Sequence, residues 1–304
     1  MRLGLASVML TGLLASADCS AGSGDGTGGG APLPGDLGSG DETGGSGPGS
    51  GGGPGVVLTE PEPEDLDCDS TIPVVYRDFD ESHPDFEMQF AGDVVRHLLI
   101  EPTLGAGSKP VFRDAAGCPG DPAAPTACLD WGSSVLNPVM TSEDSFDQWY
   151  RNVDGTNQRF EKELELLETG AGTGIYVFDS ASAGFFPLSA SEGWGITPAN
   201  NDMQKNFLFT TEVHLSFTYV AGQVFTFRGD DDLWIFVNGR LALDLGSMHV
   251  PTEGTIDFDA QAADLGITPG LSYSMDIFHA ERHTRDSNFR VETNIACFVP
   301  VVIR

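Results

Sequence analysis

From Thr71 to Arg304 short apolar, aromatic and β-branched runs recur, broken by Gly, Pro, Asn and Asp. The runs predict strands at Ile72–Tyr76, Ile175–Phe178, Phe207–Thr211, Val213–Val220, Gln223–Phe227, Leu233–Val237, Leu241–Leu245, Gly254–Phe258, Leu271–Phe278 and Phe289–Ile295. Many short strands at this spacing read as an all-β sandwich or jelly-roll-like barrel. Asn238-Gly239 falls between two of the runs, and a type I′ hairpin turn needs φ > 0 at both central residues. Helical signals are sparse: Ser142–Tyr150, and Ala260–Leu265 with Gly266 placed to cap it. No internal repeat is visible, so a single domain of residues 67–304 is expected.

Ahead of that domain the texture is different. Between Ser20 and Gly55, 17 of 36 residues are Gly, with no aromatic and no base. Such a segment cannot bury a core and reads as a disordered stalk, residues 19–66 with its acidic, Pro-broken end. Its root-mean-square span would be on the order of 30 Å. Residues 1–18 read as a signal peptide: Arg2, an apolar run too short to span a bilayer, then small residues. Two processing routes are open. Ala15-Ser16-Ala17 suits cleavage after Ala17, whereas Leu14 to Cys19 resembles a lipoprotein box with Cys19 as the acylated residue. Either route implies export, to the cell surface (as an outer-membrane lipoprotein) or as a secreted protein, with no transmembrane helix.

The chain carries 45 acids against 15 bases, a formal net charge of −30. That sign repels phosphate backbones, excludes nucleic acid as a partner, and favours capture of cations. Setting Cys19 aside leaves four cysteines, an even number in an oxidising compartment. Three connectivities are open; the expected pairs are Cys118 with Cys128, and Cys68 with Cys297, which would tie the domain's start to its end.

Three carboxylates in a row, Asp230-Asp231-Asp232, stand at the entrance of Leu233–Val237. They repel one another, and need either full solvation or a hard cation such as Ca²⁺, which takes six to eight oxygens. In His279-Ala280-Glu281-Arg282-His283, an extended backbone would put His279, Glu281 and His283 on one face, a transition-metal spacing competing with an ordinary structural role. Catalytic motifs are missing: no nucleophile elbow, Walker loop or dinucleotide fingerprint. The chain is therefore expected not to be an enzyme, a glycoside hydrolase being the remaining catalytic alternative because a carboxylate pair has no sequence signature.

Four stretches together resemble the fibro-slime domain family: Ile72–Phe79 with Ser82–Glu87, Phe146–Val153, Phe227–Arg240, and Asp276–His283 with Ser287–Arg290. The resemblance runs from about residue 70 to 296. It implies kinship with the protective-antigen-type ("PA fourteen") carbohydrate-binding β-sandwich, in which adjacent aspartates hold a calcium that binds sugar. Carried across, it implies Asp230 and Asp231 as calcium and sugar ligands, Asn288 as a further ligand from a later loop, and Asp232, where glycine is usual, either joining the site or facing water. His249, Arg282 and His283 are the expected flanking sugar contacts. The function so implied is calcium-dependent binding of an extracellular glycan or matrix polysaccharide in adhesion. The alternative is a matrix or slime component whose calcium is purely structural.

Overall fold

Two antiparallel sheets carry the domain, as a computed structural model shows for residues 68, 71–88, 94–119, 137–180, 183–198, 202–283 and 286–301. These residues belong to one compact unit, Pro61–Arg304. The leader, Cys19, the Gly-rich stalk and Cys128 lie outside the described residues. The larger sheet runs in the order β2 (Asn157–Glu165), β1 (Thr71–Phe79), β5 (Phe209–Thr218), β10 (Ser272–Glu281), β7 (Asp232–Val237), β8 (Arg240–Leu245), with β12 (Val299–Pro300) also paired to β5. The smaller sheet runs β3 (Leu167–Glu168), β4 (Tyr176–Asp179), β11 (Phe289–Thr293), β6 (Val224–Gly229), β9 (Thr252–Asp257). The expected β-sandwich is present.

The main core fills the space between the sheets, with Val74, Val213, Leu233, Ile235 and Ile277 facing Phe225, Ile256 and Val291. Side chains alternate across a strand, so the neighbouring positions Phe79, Trp234, Phe236 and Phe278 point to the other face of the larger sheet. They are not exposed. The connection between β1 and β2 folds over them, adding Phe86, Leu99, Val139, Phe146 and Trp149 to form a second core. A sheet covered on both faces reads as a continuous apolar run, which is why all six residues of β7 are buried. Trp234 is thus a core residue, its Nε1 donating to Asp244 Oδ1 at 2.9 Å.

Local signals explain most boundaries. Asn238 and Gly239 adopt φ of 53° and 70°, the left-handed pair that the hairpin between β7 and β8 requires. The first helix, α1 (Glu143–Phe146), is a single turn closed by a capping box between Ser142 and Ser145, shorter than the Ser142–Tyr150 expected. The second, α2 (Phe258–Leu265), starts at the Asp257 cap and ends at Gly266 with φ 66°. Predicted runs at Phe207–Thr211 and Val213–Val220 fuse into β5. Strand β2 went unpredicted because Asn157–Glu165 is dense in Glu, Lys and Arg. As the outermost strand it needs those charges to discourage further pairing. The expected Cys68–Cys297 disulfide is present, with Cα atoms 4.8 Å apart. Cys118 is also disulfide-bonded, but the Cys128 end of the second expected pair is outside the described residues. Among the described residues no helix is long and apolar enough to cross a membrane.

Candidate functional site: the acidic turn between the sheets

The turn holding the three aspartates carries the chain from the smaller sheet to the larger one, since β6 ends at Gly229 and β7 begins at Asp232. Gly229 lets the 287–288 loop close on it: a Cβ there would lie 2.3 Å from the Asn288 carbonyl oxygen, so no larger residue fits without moving that backbone. Asp230 takes both of its hydrogen bonds from Asn288, Oδ1 from the backbone N–H at 2.6 Å and Oδ2 from the side-chain amide at 2.8 Å. Asp231 Oδ2 accepts the backbone N–H groups of Arg282 and His283 at 3.0 and 3.1 Å. Three separate segments therefore meet at the turn, with Asp230 hydrogen-bonded to Asn288 and Asp231 to the 282–283 backbone.

Asp232 neither joins a ligand set nor faces water. It is fully buried, Oδ1 accepting Ser247 N–H at 2.6 Å and Oδ2 accepting Arg282 Nε at 2.7 Å. Arg282, also fully buried, donates through one terminal nitrogen to the carbonyls of Asp85 (3.0 Å) and Val139 (2.8 Å) and lies 4.6 Å over the Trp149 ring. It locks the β1–β2 connection onto the sheet and has no surface to offer a sugar. His249 is buried with its ring nitrogens at the carbonyls of Val250 and Leu245, 2.8 and 3.3 Å away. The His283 side chain is 41% exposed and turns toward Glu87, 3.9 Å distant.

Glu281 was legible only as part of the His-Ala-Glu-Arg-His run, yet it is the residue that changes the site's electrostatics. Strand β10 continues three residues past the expected Phe278, which carries His279 and Glu281 into the interior. His279 is neutral, held near a pKa of about 4 by burial. Its Nε2 donates to the Asp230 carbonyl at 2.8 Å while Nδ1 accepts from Thr211 Oγ1 at 3.2 Å. Glu281 is fully buried beside Asp231 and Ser287, both close enough to interact with its carboxyl, although among the described residues neither oxygen makes a well-formed hydrogen bond.

Among the described residues four carboxyl groups, Asp230, Asp231, Asp232 and Glu281, thus share the region with the Arg282 guanidinium, and Asp232 already occupies that. Burial pushes Asp231 up to about 8, with the neighbouring Asp232 and Asp230 charges adding to the rise against the Arg282 backbone N–H and charge. Burial likewise raises Glu281 well above the carboxylate range, reinforced by Asp231 and Asp230. Asp230 is raised by burial in spite of its two bonds from Asn288. Buried carboxylates without a counter-charge either hold a proton or hold a cation.

The transition-metal spacing is not realised. His279 has both nitrogens engaged and His283 points elsewhere, and among the described residues no group of three or more His, Cys, Asp or Glu side chains is arranged to hold a metal. The donor types at the turn, carboxylate with amide and carbonyl neighbours, are those of a hard ion rather than a soft one, although the same finding applies to its carboxylates, which are not gathered around one point.

No protein-family model matches the chain, so its resemblance to fibro-slime domains rests on the motifs quoted above. Curated relatives are proteins of Dictyostelium discoideum. Protein psiC is 32% identical over 235 residues, 75% of this chain and 42% of psiC. Protein psiD is 34% identical over 214 residues, 69% of this chain and 38% of psiD. Protein psiE is 39% identical over 173 residues, 55% of this chain and 33% of psiE. A solved structure described as concerning carbohydrate-binding modules of the β-sandwich superfamily covers 47% of this chain at 10% identity and a TM-score of 0.18, too distant to bear on function. What the comparisons give is similarity to the psi proteins across 55 to 75% of this chain and 33 to 42% of theirs.

Proposed function

We propose that the chain is an exported, non-catalytic β-sandwich that binds glycans in a calcium-dependent manner, with calcium taken up at the acidic turn. The observation that carries this reading is Glu281, fully buried beside Asp231 and Ser287 with no well-formed hydrogen bond to either carboxylate oxygen among the described residues. A divalent cation at the turn would offset two of the three negative charges of Asp230, Asp231 and Glu281, and would have to draw these side chains together, since they are not gathered around one point in the structure. It would also fix the turn, the end of β10 and the 287–288 loop relative to one another. Asn288, half-buried at the rim, is the side chain placed to connect the ion with a ligand outside.

A second reading, that calcium only rigidifies these loops in a matrix component, is favoured by the burial of Asp230 and Asp231, which are 4% and 7% exposed. The two separate cleanly. Glycan-array binding that a chelator abolishes supports the first reading. Thermal stabilisation by calcium with no glycan bound supports the second and ends the first.

A further inference from the structure

A second region of interest lies away from the acidic turn: a cavity on the outer face of the larger sheet, over β1, β2 and β5, bordered by described residues of the β1–β2 connection. Its volume is about 750 Å³, inside the range of small-ligand pockets, roughly 300–1,000 Å³. Its lining reverses the sign of the chain. Four basic side chains (Arg77, Lys109, Arg151 and Arg159) face it against two acidic ones, Glu161 and Glu212, in a sequence with three acids for every base.

The floor is rigid. Glu212, 3% exposed, accepts from Arg77 NH1 at 2.5 Å, from His214 Nε2 at 2.5 Å, and from Lys109 Nζ. His214 is held from behind by Asp276, 2.6 Å from Nδ1. Burial alone would lower the His214 pKa, but the bonds to Asp276 and Glu212 outweigh it and raise it. Burial alone would raise Glu212, and its three partners instead bring it down to about 2. Arg77 Nε reaches Asn152 Oδ1 at 3.0 Å, anchoring the wall above.

The mouth is loosely held by comparison. Arg151 pairs with Asp147 and Arg159 with Glu161, with side chains 38 to 69% exposed. Exposed pairs of this kind contribute at most about 1 kcal/mol, so either guanidinium can exchange its partner for a ligand's. Between mouth and floor stands Tyr150. It is 1% exposed, lines the cavity, and its hydroxyl has no hydrogen-bond partner among the described residues. That hydroxyl is sealed from the cavity, so Tyr150 contributes wall and not a hydrogen bond.

We infer that this cavity is a second binding site, independent of calcium, for a carboxylate-bearing saccharide of the uronic acid class. The guanidinium fork matches a carboxylate in two parallel hydrogen bonds. Asn152 and Glu161 offer the donors and acceptors that ring hydroxyls need, and Pro73, Val75 and Pro300 supply apolar wall for the ring faces. An inorganic anion would use the arginines and leave the remainder of the site idle. A neutral sugar would do the opposite.

The test is calorimetric titration of the full chain with a galacturonate trimer, D-glucuronate, D-glucose and inorganic phosphate, each in chelator and again in calcium. The inference expects saturable uronate binding, equal in both buffers, at least tenfold tighter than glucose or phosphate. Arg151→Gln with Arg159→Gln, both exposed positions, should weaken uronate at least tenfold. Thermal melts should confirm that the double variant keeps its fold. Equal binding of phosphate, an unchanged isotherm in the double variant, or no uronate binding overturns the inference. None of these results touches the calcium reading, and loss of calcium binding would leave this site intact.

Discussion

Replacing Asp232 by Asn tests whether the three aspartates have separate roles. The carboxylate and Arg282 are both fully buried, joined at 2.7 Å, and among the described residues Ser247 N–H also donates to Asp232. Removing one partner of a buried ion pair strands the other charge in the interior, at a cost of roughly 3–5 kcal/mol. At about 2–4 °C per kcal/mol for a domain of this size, the midpoint should fall by some 6–20 °C. Combining Asp232→Asn with Arg282→Met removes the stranded cation and should recover part of the loss, leaving the carbonyls of Asp85 and Val139 without their donor. Differential scanning fluorimetry in chelator reads both changes. Asp230→Asn should shift the same midpoint by under about 1 kcal/mol, because its charge is already disfavoured by burial and an amide retains one of two acceptors. A Tm for Asp232→Asn within about 2 °C of wild type would refute the assignment of Asp232 as Arg282's partner, and a simultaneous loss of calcium binding would return it to the ligand set.

Other consequences follow from the same geometry. Glu281→Gln should leave stability in chelator equal or higher, since Glu281 is raised well above the carboxylate range, while abolishing any rise in Tm on adding calcium. Gly229→Ala should disturb the 287–288 loop through the 2.3 Å approach to Asn288, seen as weakened calcium affinity with the sandwich still folded by circular dichroism. The Cys68–Cys297 bond closes a separation of 229 residues, so reduction should cost on the order of 5 kcal/mol by loop entropy, read from denaturant midpoints with and without reductant. For Glu212, the folded pKa of about 2 lies below the ordinary 4.5. Its stabilising share, about 3 kcal/mol, is present above pH 4.5 and lost as pH falls toward 2. His214 has the opposite sign: its raised pKa stabilises fully below pH 6.5, and the gain fades as pH climbs through the raised value. Wild type minus Glu212→Gln should therefore be largest between about pH 4.5 and 6.5 and shrink on the acid side; a flat difference down to pH 2 contradicts the network.

What the sequence reveals and what it conceals have physical causes. Period-two apolar runs, the Asn238-Gly239 turn and the Gly266 cap are local, and each was legible. Strand β2 was not, because an edge strand selects charge over apolar patterning. The second core was hidden for a related reason: β7 is apolar on both faces, and only the packing of Phe86, Phe146 and Trp149 shows that a loop layer covers the far one. At the acidic turn, sequence brought Asp230, Asp231 and Asn288 together but could not separate Asp232 from them, since the pairing with Arg282 spans fifty residues. The outer cavity did leave a trace. Glu212 and His214 alternate with Val213 and Leu215, and two ionisable residues on one face of an otherwise apolar strand signal a polar site beneath a cover.

The central claim is that the surplus of buried carboxylate at the turn is matched by a cation. Calorimetric titration of calcium into chelator-stripped protein, repeated on the Asp230→Ala/Asp231→Ala double variant and on Glu281→Gln, measures it most directly. The account predicts a saturable site with a rise in Tm in wild type, absent from both variants although each remains folded. No heat and no thermal shift in wild type, or an isotherm that survives both variants, would contradict it and leave the turn's carboxyls to be neutralised by protons.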